Sequence, residues 1–346
     1  MESKSDSANL DLLRAVAVLC VFFAHLRDQL AGTGSHTSWL FGQMGVYIFF
    51  VHTSLVLLLS LERSASRLEG IALTVDFYVR RVFRIYPLAI ICVTLAFLDI
   101  VPTRAAGSPP WEWSTYIANL ALTIRPFYEE EMWPVIWTLP FEMKMYLLLP
   151  LLFFFLRHRN IGWVFVGWGA AVLVAHVQPH VSGRLDFAQY MPCFIGGVLA
   201  WKMTHIVGPR WRAAWWPAAF IACSAVWLAA PRQDDELSRW TFCLLLGYTI
   251  PWFKDLRWAP LVAVARVIAK YSYGIYLAHL PILWWALTFE GPARWLMLAG
   301  LMMLVPYAAF HFVERPMIGI GRTLAARLSL HQTARALSRS ATAQSL

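Results

Sequence analysis

Of the 346 residues, 59% are hydrophobic and only 14% charged, where soluble domains carry about 25% charged residues. One aqueous core cannot hide this much apolar surface, which excludes an ordinary soluble protein. The net charge of +9 resides in arginines that connect apolar stretches, a pattern that points to one face of a membrane and away from nucleic acid. All five cysteines fall inside apolar stretches at no ligand spacing, so they read as small hydrophobic core residues and no metal centre is expected.

Residues 1–9 form a polar head without a basic n-region, and no small-residue cleavage site follows the first apolar stretch. That stretch, 10–30, therefore reads as a retained signal anchor. It carries Arg14 and His25. The spacing advances a helix by three turns plus about 20°, and by roughly 16 Å, so both side chains lie on one face. Ionisable residues inside a bilayer are costly, which makes the pair a functional candidate. Asp11, one turn before Arg14, is within pairing reach. The second stretch, 40–61, holds His52, which has no evident partner and is read as structural. The third, 84–100, is entered through Arg80, Arg81 and Arg84. Arg81 and Arg84 share a helical face, and guanidinium groups so placed can fork phosphate oxygens as well as fix topology.

The loop 101–132 combines Trp111 and Trp113 with the acidic run Glu129, Glu130 and Glu131. Its tryptophans read first as interfacial anchors, and second as faces for a sugar ring. The fourth stretch, 133–156, contains Trp137, Glu142 and Tyr146, with Glu142 in its outer half. Stretches at 161–177, 187–206, 213–230 and 238–253 follow. The ninth, 263–288, carries His279, and the tenth, 293–313, is closed by Glu314.

The expected fold is all-α: a polytopic integral membrane protein of about ten transmembrane helices, with both termini cytoplasmic. This orientation places 18 of the 29 basic residues on inner segments and 7 on outer ones, as the positive-inside rule requires. One transmembrane domain, 10–316, is expected between the head, 1–9, and a basic cytoplasmic tail, 317–346, that is partly disordered. No internal repeat stands out, and there is no His-Glu-x-x-His, Gly-x-Ser-x-Gly or phosphate-cradling glycine loop.

Taken together, these segments resemble the membrane-bound acyltransferase 3 family. Leu10-Asp11-Leu12-Leu13-Arg14 with His25 is similar to its opening signature, and Gly45-Val46-Tyr47-Ile48-Phe49-Phe50-Val51 to its second-span motif. Arg80-Arg81-Val82-Phe83-Arg84 is similar to the start of its third span, and Trp137-Thr138-Leu139 with Glu142, Tyr146 and Pro150 to its fourth. Ser272-Tyr273-Gly274-Ile275-Tyr276-Leu277-Ala278-His279 and Glu314-Arg315-Pro316 match the last two blocks. The departures are Asp11-Leu12 for the usual Asp-Gly, Tyr47 at a usually acidic position, and Thr53-Ser54 for Ser-Gly.

The resemblance implies transfer of an acyl group, acetyl above all, from acyl-CoA to a hydroxyl of a carbohydrate or glycosylated acceptor at the plasma (inner) membrane. No metal is implied. Arg81 and Arg84, with Arg80, are expected to hold the donor's phosphates, with Arg14 near the inner mouth. The pantetheine arm would then follow the α-helical stripe to His25, the general base. Glu142 is the leading candidate to orient the imidazole or bind acceptor; His279 and Tyr146 come second, with Trp137, Asp11 and Glu314 in support. The donor to the oxyanion is not identified, and a covalent acyl-histidine stays open. The chain ends about 30 residues after its last span, so a relay to an extracytoplasmic hydrolase-like domain would need a separate partner. A second class, a multi-span transporter or export partner for a glycan or lipid, would show repeat symmetry more often.

Overall fold

Backbone inside a bilayer must satisfy its own hydrogen bonds, and each of the ten apolar stretches does so as a helix. The computed structural model describes residues 7–105, 107–124, 129–181, 186–229 and 236–344, with side chains to residue 329 apart from those at 186 and 187. Among these residues there is no β-strand, only an isolated bridge between Trp211 and Phe253. Six helical segments are long and apolar enough to cross a membrane. The chain is an all-α, multi-pass membrane protein.

The first two helices form a hairpin. Helix α1 (Ala8–Ala31) starts at Ser7, whose hydroxyl accepts from the Asn9 amide, and stops at Gly32 with φ +66°. Helix α2 (His36–Ala65) starts at Ser35, which accepts from the Ser38 amide. Both are serine N-caps that meet an orphan first-turn donor. At Gly45 a Cβ would stand 2.4 Å from the Ala17 carbonyl oxygen, so a glycine is what allows α1 and α2 to meet backbone to backbone.

Helix α3 (Gly70–Phe97) begins well before the expected 84–100. Part of the charge in its first half is paired within the helix: Arg80 holds the buried Asp76 by two 2.8 Å hydrogen bonds at i,i+4. The arginines therefore stand on a helix wall, not in a connection. Helix α4 (Trp113–Leu120) lies in the loop after it. Buried Asn119 ties that loop together, donating to the Thr115 and Glu130 carbonyls and accepting from the Met132 amide. A 3-10 turn at Ile136–Thr138 leads into α5 (Leu139–Leu156), and α6 (Gly162–Val181) follows.

Helices α7 (Met191–Thr204), α8 (Trp216–Leu228) and α9 (Glu236–Thr249) are short. Residues 192–203 of α7 are all buried, which makes α7 the centre of this half of the bundle. Helix α10 (Ala259–Ala286) packs on α1 and on α11 (Gly291–Ala308). A π-helical turn, Ala309–Glu314, joins α11 to α12 (Arg315–Gln344), which lies against α3. The segment after 316 thus continues as helix, and Gly321 admits the Phe83 side chain, to which a Cβ would come within 2.5 Å.

Candidate active site

Four helices, α1, α3, α5 and α10, bring their polar residues together. Helices α1 and α10 run parallel, with Asp11 3.8 Å from Arg266 and Arg14 level with Ser272. Arg14 Nε donates to the Ser272 hydroxyl at 2.6 Å, and that hydroxyl donates on to the Ala269 carbonyl. The Asp11 carboxylate, expected beside Arg14, thus lies against α10. Helix α3 joins α10 through Tyr273, whose hydroxyl donates to the Ile85 carbonyl at 2.8 Å. The turn leading into α5 joins through Tyr276, which donates to the Val135 carbonyl at 2.9 Å and accepts from Thr138 at 3.0 Å.

These contacts enclose a cavity of about 110 Å³ walled by Arg14, Arg81, Arg84, Glu142, Tyr146 and His52. Five of these six were singled out from the sequence. Tyr146 donates to Glu142 at 2.6 Å. Arg84 is ion-paired with Glu314, which is 1% exposed and reaches it from the π-helical turn. The Arg84 guanidinium also lies 5.5 Å over the Tyr273 ring. Arg81 differs: its Nε is buried with no hydrogen-bond partner.

Other expected residues stand apart. Arg80 is consumed by Asp76 and lines a smaller pocket beside Arg81. Trp137 packs its ring against Phe141 and Tyr190. His25 does not line the cavity; its ring, partly exposed, lies 5.2 Å from that of His279, tilted by 37°. The Tyr276 ring links the two places, forming cavity wall on one side and lying 6.1 Å from the His279 ring on the other. Glu142, expected to orient the His25 imidazole, stands at the Arg14 end instead, because the long rise along α1 separates the two. Among the described residues no group of three His, Cys, Asp or Glu side chains is placed to hold a metal.

His52, Ser272, Tyr273 and Tyr276 are cavity residues that sequence reasoning missed. His52 had a usable signal. The residue follows Gly45, where α2 meets Ala17 of α1, by seven residues, about two helical turns, and so lies on the same face of α2 toward the Arg14 end of α1. His52 and Thr53 both reach the cavity.

The arrangement, an arginine-rich cavity between transmembrane helices, suits an anionic substrate. The chain matches the family model for an acyltransferase domain, acyltransferase 3, over residues 7–311. The chain belongs to this family. Nodulation protein 10 of Rhizobium leguminosarum bv. viciae is 26% identical over a 379-residue alignment covering 92% of this chain and 95% of that protein. No solved structure matches. The molecule is thus a multi-pass membrane acyltransferase, and its cavity and histidine pair lie within the matched region.

Proposed function

We propose that this membrane acyltransferase transfers an acyl group, acetyl first, from acyl-CoA to a hydroxyl of a carbohydrate or glycosylated acceptor at the plasma membrane. The observation that supports it is the convergence of Arg14, Arg81 and Arg84 on one cavity with Glu142 and Tyr146. At about 110 Å³ the cavity is smaller than the roughly 300–1,000 Å³ of a whole-ligand pocket. It suits the narrow thioester arm of the donor and leaves the nucleotide outside. Arg81, with an unmatched donor, is the group best placed to take a phosphate oxygen at its edge.

His25 is the base in this reading, on the partly exposed side where an acceptor hydroxyl can approach. It takes the hydroxyl proton as the oxygen attacks the thioester carbonyl. The tetrahedral centre collapses, the C–S bond breaks, and the CoA sulfur leaves and regains a proton. Arg14 and Glu142 line the donor's approach from the cavity. Membrane vesicles carrying the full chain, given radiolabelled acetyl-CoA with no ion gradient, should transfer label to the host's envelope glycans. Replacing His25 with Ala should lower turnover by about 10²–10⁴. A properly inserted His25→Ala protein with normal turnover refutes the base, and absence of labelling by the unmodified protein refutes the donor.

A further inference from the structure

His279 is 1% exposed, and its Nδ1 stands 2.7 Å from the Tyr276 carbonyl oxygen and 3.2 Å from that of Ile275. Carbonyl oxygens only accept, so Nδ1 carries the hydrogen and donates it. The neutral ring then presents a lone pair at Nε2, and Nε2 is buried with no hydrogen-bond partner. Buried polar atoms are seldom left so. The ring beside it is His25, centroid to centroid 5.2 Å and tilted by 37°. Rotating the His25 ring can carry one of its nitrogens to hydrogen-bond distance of Nε2, about 2.9 Å. The nearest carboxylate on α1, Asp28, accepts from the Ser35 amide at 3.3 Å and pairs with Arg27 at 3.2 Å through one and the same oxygen.

We infer that His279 is a positioning residue whose Nε2 accepts the N–H of His25 and fixes His25 in the tautomer with its other nitrogen free for the acceptor hydroxyl. The inference rests on the reading of His25 as base. In the transfer step the hydroxyl proton passes to the free nitrogen of His25 and the oxygen's electron pair forms the new C–O bond. The C–S bond breaks, and the proton is returned to the departing CoA sulfur. His279 keeps its own hydrogen on Nδ1 and gains none. It holds the ring, and steadies the imidazolium while it exists, as an orienting partner does in other histidine-base sites.

Two substitutions separate positioning from packing. His279→Asn keeps a donor for the Tyr276 carbonyl but has no acceptor toward His25, whereas His279→Gln carries an amide oxygen near the Nε2 position. In vesicles given radiolabelled acetyl-CoA, His279→Asn should lower kcat by about 10²-fold or more, with KM for acetyl-CoA changed by less than about twofold. His279→Gln should recover at least about a tenth of the original kcat, by restoring the acceptor. If the Asn protein does not accumulate, His279→Leu replaces it with the same expected loss. Loss in all three variants without recovery by Gln, or normal kcat without an acceptor at 279, overturns the inference. His25→Ala is measured alongside: if it is inactive while His279→Asn is normal, only the positioning role fails. If His25→Ala is active, the base reading itself fails.

Discussion

Arg14, Arg81 and Arg84 share one cavity but differ in what already engages them. Arg84 has the Glu314 carboxylate and Arg14 Nε has Ser272, while Arg81 Nε has nothing. A hydrogen bond to a charged group is worth about 1.5–3 kcal/mol, and each 1.4 kcal/mol is about tenfold in affinity. Arg81→Ala should therefore raise KM for acetyl-CoA by at least about tenfold and leave the melting temperature nearly unchanged. Arg84→Ala should act first on stability, because it strands Glu314 without its partner, a loss of about 3–5 kcal/mol for a broken buried pair. Thermal unfolding in detergent beside donor kinetics checks both, and equal effects of the two substitutions on KM and melting would refute the division. The i,i+3 spacing of Arg81 and Arg84 was legible in the sequence, and so was Asp76 at i,i+4 from Arg80 for a reader who continued the helix backwards. Glu314 was legible only as a residue: its partner lies 230 positions away, and no local pattern encodes that distance.

At the scale of helices, α2, α7 and α9 meet closely enough for glycine to decide the fit. A Cβ on Gly247 of α9 would lie 1.9 Å from the Gly196 carbonyl oxygen, and one on Gly197 of α7 would lie 2.2 Å from the Val51 carbonyl oxygen and 2.1 Å from Ser54 Oγ. Small residues are how membrane helices approach this closely. Ser54, where the family's usual residue is glycine, fits because α7 supplies Gly197 and the Phe194 carbonyl, which accepts its hydroxyl at 2.8 Å. Gly247→Ala gains about 1 kcal/mol in helix propensity, but the clash is with backbone that cannot rotate away, and overpacking costs about 1–3 kcal/mol or more. Its melting temperature should fall by several degrees. Gly169→Ala on α6, where nothing lies within 4 Å, should leave it equal or slightly raised. The reverse ranking would show that these helices are not packed as described. Each apolar stretch marks a helix, and six helical segments are long and apolar enough to cross a membrane. The stretches could not reveal that α3 starts at Gly70, since charges satisfied by their own helix look, in one dimension, like a loop.

Over the whole molecule, direction of insertion decides which end of the α1 stripe meets the donor. Helices α1 and α10 run parallel, and the proposed ten-span topology counts seven helices (α2, α3 and α5 to α9) between them in the chain. An odd number of intervening crossings is what a parallel pair requires. Four of the ten do not qualify by length and composition alone: α3 through the charges of its first half, and α7, α8 and α9 through shortness. A 14-residue helix such as α7 spans about 21 Å, but the 3-10 turn at Asp186–Tyr190 lengthens it. In the proposed orientation, with α1 entering from the inside, Arg14, Arg81 and Arg84 would face the cytoplasmic side, where the proposed donor acyl-CoA resides, and His25 would lie roughly 16 Å further out. Two exposed loop positions test this, Ser108 before α4 and Asn160 between α5 and α6. In a bacterial host, a membrane-impermeant maleimide should label Ser108→Cys in intact spheroplasts and Asn160→Cys only after permeabilisation. The native cysteines, four buried and one partly so, should stay nearly unlabelled in both. Labelling of Asn160→Cys in intact spheroplasts would put the arginine cavity on the side without acyl-CoA, and the path from Arg81 to His25 would have to run the other way.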